Sequence, residues 1–252
     1  MNIIHKQVAI VLYLLMAVAC DKSDPGPDSV KTEHGYAQGK VVDTQGKPLQ
    51  GAEVVIENTM IYHSSLVVFT DANGIYKVRL PAVGTFSASA SIKRRLNDKT
   101  YTLALHPDNP DEFSIDGSVR NFTWKLTGAR GSEAQGRYGA TVSLNKYIMS
   151  QIYDTENIEF TLVPKGPAID GSVGKTLVLR SGQPNTQEHG YLTDIPLGRY
   201  DITGVYKDNG QNIPIKLGNQ FDGENEFRAV LQLDFEPQTM WGDNLAIIQY
   251  SE

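Results

Sequence analysis

Gly39-Lys40-Val41-Val42-Asp43-Thr44-Gln45-Gly46-Lys47-Pro48-Leu49-Gln50-Gly51-Ala52-Glu53-Val54-Val55-Ile56 is the stretch from which the fold is read. In its second part Ala52, Val54 and Ile56 fall on one side of the chain, the period-two pattern of a half-buried strand. Thr44 to Pro48 is a turn signal, and Pro48 and Gly51 shape the connection between the first two strands. Outward from here the alternation returns in Tyr76-Val78-Leu80, Tyr101-Leu103-Leu105 and Phe122-Trp124-Leu126. Its clearest case sets Phe86, Ala88, Ala90 and Ile92 against Ser87, Ser89, Ser91 and Lys93. Asp71-Ala72-Asn73-Gly74 and the polar stretch from Pro107 to Gly117 are turns, and Asn73-Gly74 supplies a positive φ. Short strands separated by Gly and Pro turns, with no long helical period, predict an all-β sandwich or barrel. His63 to Phe69 reads as a short helix or a strand; periodicity does not decide.

Gly128-Ala129-Arg130-Gly131-Ser132-Glu133-Ala134-Gln135-Gly136-Arg137 interrupts the apolar pattern and marks a domain boundary. Strand-like segments then resume at Ala140-Val142-Leu144, Ile158-Phe160-Leu162, Leu177-Leu179, Tyr200-Ile202, Ile213-Ile215-Leu217, Phe227 to Phe235 and Leu245-Ile247. Of these the 227–235 run alternates best. Asp208-Asn209-Gly210 and Asp222-Gly223 are hairpin turns. Leu80-Pro81-Ala82-Val83-Gly84-Thr85-Phe86 echoes Ile195-Pro196-Leu197-Gly198-Arg199-Tyr200, each leading into an alternating strand. Two readings stay open: a diverged copy of the first domain, or a chance likeness. The expectation is two tandem Greek-key β-sandwich domains, residues 36–127 and 138–252.

Val8 to Ala19 is an apolar run that ends at Cys20, the only cysteine of the 252 residues. His5 and Lys6 precede it, and Asp-, Ser-, Pro- and Gly-rich residues 21–34 follow as a flexible tether. This is the layout of a secretory signal peptide over residues 1–19, with 20–35 as the modified cysteine and tether. An uncleaved membrane anchor is the competing reading. With Cys20 used, the folded part holds no thiol for a disulfide and depends on its cores. The net charge of −6 argues against a nucleic-acid partner, since phosphate binding needs a basic face. Lys93-Arg94-Arg95 is the one short basic cluster, read as a solvated strand end rather than a polyanion patch.

Gly39 to Asp43, Gly46 to Ile56, Thr70-Asp71-Ala72-Asn73-Gly74-Ile75-Tyr76 and Leu80 to Phe86 together resemble the carboxypeptidase regulatory-like (transthyretin-like) family. The resemblance implies a prealbumin-like Greek-key sandwich over about residues 36–126, and a regulatory rather than catalytic module. The long stretch from Glu57 to Phe69 departs from the family pattern and leaves the topology there open. Val18-Ala19-Cys20 resembles the bacterial lipoprotein signal, although Ala17 stands where that signal usually has Leu. The resemblance implies that the Cys20 thiol receives lipid. Leader and domain together look like a Bacteroidetes-type surface lipoprotein, of the kind that accompanies outer-membrane glycan uptake. That implies an outer-membrane location, facing the periplasm or the cell surface; Asp21-Lys22-Ser23-Asp24 is acidic like the surface-export signal of such proteins.

No catalytic set is legible. His34, His63, His106 and His189 are widely spaced and no His-x-x-Glu pair occurs, so no metal site and no cofactor are expected. Gly-x-Ser-x-Gly is absent. Asp71-Ala72-Asn73-Gly74 begins like a calcium loop but lacks the later ligands; Asp108, Asp111, Glu112 and Asp116 cluster in one segment and read as a solvated acidic loop. Candidate ligand-binding residues are Trp241, in Pro237 to Asn244 at a sandwich tip, and Tyr147 and Tyr153 beside Gln151, Asp154 and Asn157. Trp124 is read as core. These features point to a non-enzymatic, lipid-anchored envelope protein with an accessory binding or scaffolding role. Its expected partners are the membrane through the lipid, and polysaccharide or envelope proteins. A structural or adhesive stalk is the second reading and a hydrolase a distant third.

Overall fold

Alternating sequence becomes two facing sheets in the first half of the protein. The computed structural model describes residues 31–131, 136–220 and 226–252, so the leader, Cys20 and the Asp222-Gly223 turn lie outside the described residues. The first half holds β1 (Tyr36–Val42), β2 (Glu53–Asn58), β3 (Ser65–Phe69), β4 (Ile75–Arg79), β5 (Phe86–Leu96), β6 (Lys99–Ala104), β7 (His106–Pro107), β8 (Ser118–Val119) and β9 (Phe122–Thr123). One sheet runs β3-β2-β5-β6; the other runs β4-β1-β9-β7, with β8 also beside β1. Val54, Ile56, Ala90, Ile92 and Tyr101 of the first sheet share a buried core with Ala37, Val41, Tyr76 and Phe122 of the second. Pairing with β2, from Glu53↔Phe69 to Glu57↔Ser65, makes 65–69 a strand where local periodicity was silent.

The second half holds β10 (Ala140–Lys146), β11 (Ile158–Pro164), β12 (Leu177–Leu179), β13 (Tyr191–Ile195), β14 (Tyr200–Asp208), β15 (Gln211–Asn219), β16 (Leu231–Leu233), β17 (Glu236–Thr239) and β18 (Gly242–Ser251). Its strands follow one path, β12-β11-β14-β15-β18-β10-β13, with β16 beside β14 and β17 beside β18. The path is continuous because β15 pairs with β14 over Gln211–Ile215 and then with β18 over Lys216–Asn219. A strand that changes partner in this way turns the corner of a sandwich. The first half turns the same corner with β6, which pairs with β5, and β7, which pairs with β9.

The correspondence extends strand by strand. The first strand of each half lies antiparallel to its fourth, and parallel to its last. The second lies between the third, at an edge, and the fifth. The echo of Leu80–Phe86 in Ile195–Tyr200 falls on the same connection in both, between the fourth and fifth strands. It is therefore part of a repeated topology.

Two expected strands are shorter than their alternation suggests. The 227–235 run is a strand only over Leu231–Leu233; Ala229 and Val230 are exposed. The reason is competition, since β15 occupies that edge of β14 from Gly204 to Asp208 and leaves only Tyr200–Ile202 for β16. Phe122-Trp124-Leu126 reduces to Phe122–Thr123, although Trp124 is buried as expected. β13 carries Thr193 and Asp194 side by side, which hid it from the alternation.

Short acidic turns set the register. Asp43 Oδ1 accepts the amides of Gln45 at 2.8 Å and Lys47 at 2.9 Å; Asp71 Oδ1 accepts those of Asn73 at 2.9 Å and Ile75 at 2.8 Å. The calcium-like Asp71 is thus spent on its own turn. Asn209 and Gly210, at φ 45° and 83°, close the β14–β15 hairpin in the conformation a two-residue turn requires.

The tightest backbone approach is at Gly39, where a Cβ would lie 1.9 Å from the Arg120 carbonyl oxygen. The Tyr76 hydroxyl donates to that same oxygen at 2.7 Å, so the carbonyl is held. Gly39→Ala is expected to destabilise the first half by about 2–3 kcal/mol through forced separation of β1 from the 118–122 segment. Gly51→Ala, in open space at φ 75°, should cost only about 1 kcal/mol. Urea denaturation of the two variants checks the difference.

Candidate functional site

The side chains that chemistry would need are dispersed and occupied. His106 Nδ1 lies 3.0 Å from the Tyr138 hydroxyl, and burial together with nearby Lys125 pushes its imidazole pKa down. His189 Nδ1 is 3.2 Å from the Gly182 carbonyl, and His34 is 3.7 Å from Asp116. In the acidic loop Asp108 accepts the Asn121 side chain at 2.8 Å, Asp116 accepts Ser114 at 2.8 Å, and the Asp111 carbonyl accepts Arg120 at 3.0 Å. Among the described residues no three His, Cys, Asp or Glu side chains converge on a point that would hold a metal ion.

What the structure does build is a joint between the halves. The β5–β6 hairpin turns on Asn97 and Asp98, both at positive φ, and its tip reaches the segment between β16 and β17. Asn97 Nδ2 donates to Asp234 Oδ1 at 3.2 Å, and the Tyr101 hydroxyl donates to the Phe235 carbonyl at 2.8 Å. Lys99 Nζ meets Glu236 at 2.7 Å. Asp234 is anchored from its own side by Arg199 Nε at 2.8 and 3.1 Å, which raises the arginine's pKa further. On the other flank Thr44 Oγ1 donates to Asp170 Oδ2 at 2.6 Å while Ser172 donates to Oδ1 at 2.6 Å. Burial pushes the Asp170 carboxyl up, but these bonds outweigh it and hold it below the usual range. Between the two flanks Leu103, Trp124 and Leu126 of the first half face Tyr138, Ile169 and Leu197 of the second. A cleft of about 450 Å³ opens beside Asp170, lined by Thr44, Gln45, Thr123 to Thr127 and Ser172. Its one carboxylate, Asp170, accepts hydrogen bonds on both oxygens, and Lys125 is the one cationic side chain in its lining.

The aromatic candidates do not form one surface. Trp241 stands at the β17–β18 hairpin, 61% exposed, next to the start of β18 and so on the side of the joint. Tyr147 and Tyr153 follow the end of β10. Because β10 and β18 run parallel, with Lys146 opposite Tyr250, the tyrosines lie at the other end of the sheet, about 30 Å away along the strand. Tyr147 packs on Phe227 at 4.8 Å between centroids; Tyr153 is exposed with Lys146 over its ring at 4.7 Å. Asp154 is held by Asn157 at 2.6 Å and Tyr206 at 2.8 Å. The joint itself was not read from the sequence. Its only local signal was Asn97-Asp98, a pair that tolerates positive φ, whereas Asp234 and Tyr101 meet only in the fold.

Residues 37–116 match the model of the carboxypeptidase regulatory-like domain. No curated protein matches the chain. Solved structures similar to it include the Bacillus anthracis TIE protein, at 12% identity and TM-score 0.34, covering 87% of this chain and 34% of that one. The streptococcal ancillary pilin is similar at 10% identity and TM-score 0.27, over 89% and 64%. The C-terminal fragment of pilus adhesin SpaC from Lactobacillus rhamnosus GG is similar at 14% identity and TM-score 0.28, over 86% and 96%. The chain thus spans about a third of the first of these proteins and about two thirds of the second.

Burial pushes the phenols of Tyr101, at the joint, and Tyr200 up to about 12. An unfolded tyrosine ionises near ~10, so the folded form holds its protons longer. Stability is therefore complete below about pH 10 and falls as pH rises toward about 12. Urea midpoints measured across that window should decline, and less so in Tyr101→Phe. At neutral pH Tyr101→Phe should cost about 1 kcal/mol, because the Phe235 carbonyl loses its donor.

Proposed function

We propose that this chain, in which residues 37–116 are a carboxypeptidase regulatory-like domain, is a non-catalytic, lipid-anchored spacer that holds one pole of a surface assembly away from the membrane. The observation that carries this reading is the parallel pairing of first and last strand in each half, β1 with β9 and β10 with β18. A module whose first and last strands run parallel takes the chain in at one pole and releases it at the other. Two such modules in series therefore stack head to tail. Thr44, just beyond the end of β1, meets Asp170 at the joint, as that geometry requires. The joint's bonds then make the pair a strut rather than two beads on a string.

The anchor is the thiol of Cys20, acylated after removal of residues 1–19. No helix among the described residues is long and apolar enough to cross a membrane; what supports this anchor is the apolar run from Val8 to Ala19 that ends at Cys20. In this reading the protein belongs to the outer membrane and faces outward, and its partners are envelope proteins at the far pole. Cys20→Ala should move the protein from the membrane fraction to the soluble fraction, with the thermal transition unchanged; a variant that still sediments with membranes refutes the anchor.

A glycan-capture role is supported by one observation, the exposed Trp241 ring on the β17–β18 hairpin. In that reading Trp241→Ala should weaken retention on polysaccharide affinity gels. Equal retention of wild type and variant across a broad glycan panel leaves the spacer as the sole role.

A further inference from the structure

The pole at which the chain enters the first half carries an apolar tip. Between β2 and β3 the chain reads Met60-Ile61-Tyr62-His63, with Met60 69%, Ile61 54% and Tyr62 89% exposed. Val83, 72% exposed, stands beside it in the connection between β4 and β5. The tip is shaped rather than loose. The Asn58 amide donates to Ser64 O at 2.8 Å and the Thr59 amide to Thr85 O at 2.9 Å, closing the loop at its base. Asn58 Oδ1 accepts the Met60 amide at 3.0 Å, and Asn58 Nδ2 donates to Val83 O at 3.3 Å, tying the two connections together. The Tyr62 and His63 rings lie 3.8 Å apart, with His63 at φ 56° turning the chain back.

The same hydrogen-bonded chain reaches the entering segment, because the Leu80 amide donates to Gly35 O at 2.8 Å. Residues 31–35, the 80–85 connection and the Met60–Tyr62 tip thus form one pole, opposite the joint. The eleven residue steps from Cys20 to Lys31 span at most about 40 Å when fully extended. A lipid on Cys20 would hold this pole within that distance of a bilayer, a high effective concentration at which weak contacts are occupied. Methionine, isoleucine and tyrosine on a braced loop suit the boundary between headgroups and acyl chains, with the tyrosine hydroxyl left in the polar layer.

We infer that the Met60-Ile61-Tyr62 tip inserts into the interfacial layer of the membrane that carries the anchor, setting the orientation of the strut. The inference rests on the lipid-anchor reading of Cys20. Charges of both signs stand at this pole: Glu33 pairs with Lys77 at 2.5 Å, His34 lies 3.7 Å from Asp116, and Lys31, Arg79 and Glu112 are exposed. The tip itself, Met60 to Tyr62, carries no charge, so its contact is apolar and insensitive to salt.

The test uses the full lipidated chain with Tyr62→Cys, labelled by an environment-sensitive nitrobenzoxadiazole probe. Acylated Cys20 leaves the new thiol as the only free one. The comparison is Met149→Cys, another exposed position, after β10 at the far pole. Both proteins are reconstituted on vesicles of phosphatidylethanolamine and phosphatidylglycerol, and emission is read alongside flotation. The expected result is a several-fold rise at position 62, unchanged by added salt, with none at position 149. A floating protein with no rise at 62, or with equal rises at both positions, overturns the inference and spares the anchor. A chain that does not float at all defeats the anchor reading and the inference with it.

Discussion

Parallel pairing of the first and last strands is the constraint from which the rest of this architecture follows. In an antiparallel sandwich most neighbours reverse direction, and a chain returns to the pole it came from. Here β9 lies along β1 and β18 along β10 in the same sense, so each half has an inlet and an outlet. The 128–137 segment therefore needs only to pass the chain from one outlet to the next inlet. It is short because nothing has to be carried back across a sheet. The joint forms where the two ends meet, and its polar bonds use residues that the strand ends already bring together.

The same constraint decides which loops are engaged and which stand apart. Loops at the joint are occupied in holding the halves: Asp234, Asp170 and Tyr101 each spend their hydrogen-bonding capacity there. Loops at the two outer poles are instead free of each other, and both display apolar side chains, Met60 to Tyr62 at one and Ile148 and Met149 at the other.

Legibility in the sequence followed locality. Strands whose neighbours were close in the chain could be read directly: Phe86 to Ile92 shows its alternation because one face of β5 packs against the facing sheet and the other does not. Asn209-Gly210 named its hairpin. The family resemblance covered the first half, and the family model matches it over residues 37–116. The misreadings arose where a distant strand decided the outcome. Phe227 to Phe235 alternates well, yet β15 had already taken most of the edge it would need. The duplicated topology was visible only as one short echo, since pairing order leaves no trace in residue identity. The aromatic candidates failed to converge for the same reason: Trp241 and Tyr153 are separated by the length of β18, whose direction relative to β10 no local pattern reveals.

Pairing direction has a mechanical side as well. When tension is applied between the inlet and outlet of such a module, the load falls along the parallel ladder in shear, and its hydrogen bonds must yield together rather than one after another. The β10–β18 ladder runs unbroken from Thr141↔Leu245 to Lys146↔Tyr250, whereas β1 meets the last segment of its half in two separate places, Ala37↔Ser118 with Gln38↔Val119 and Val41↔Phe122 with Val42↔Thr123. The two modules are therefore unequal links under force: the one nearer the tether yields first and absorbs the pull, and the outer one keeps its shape.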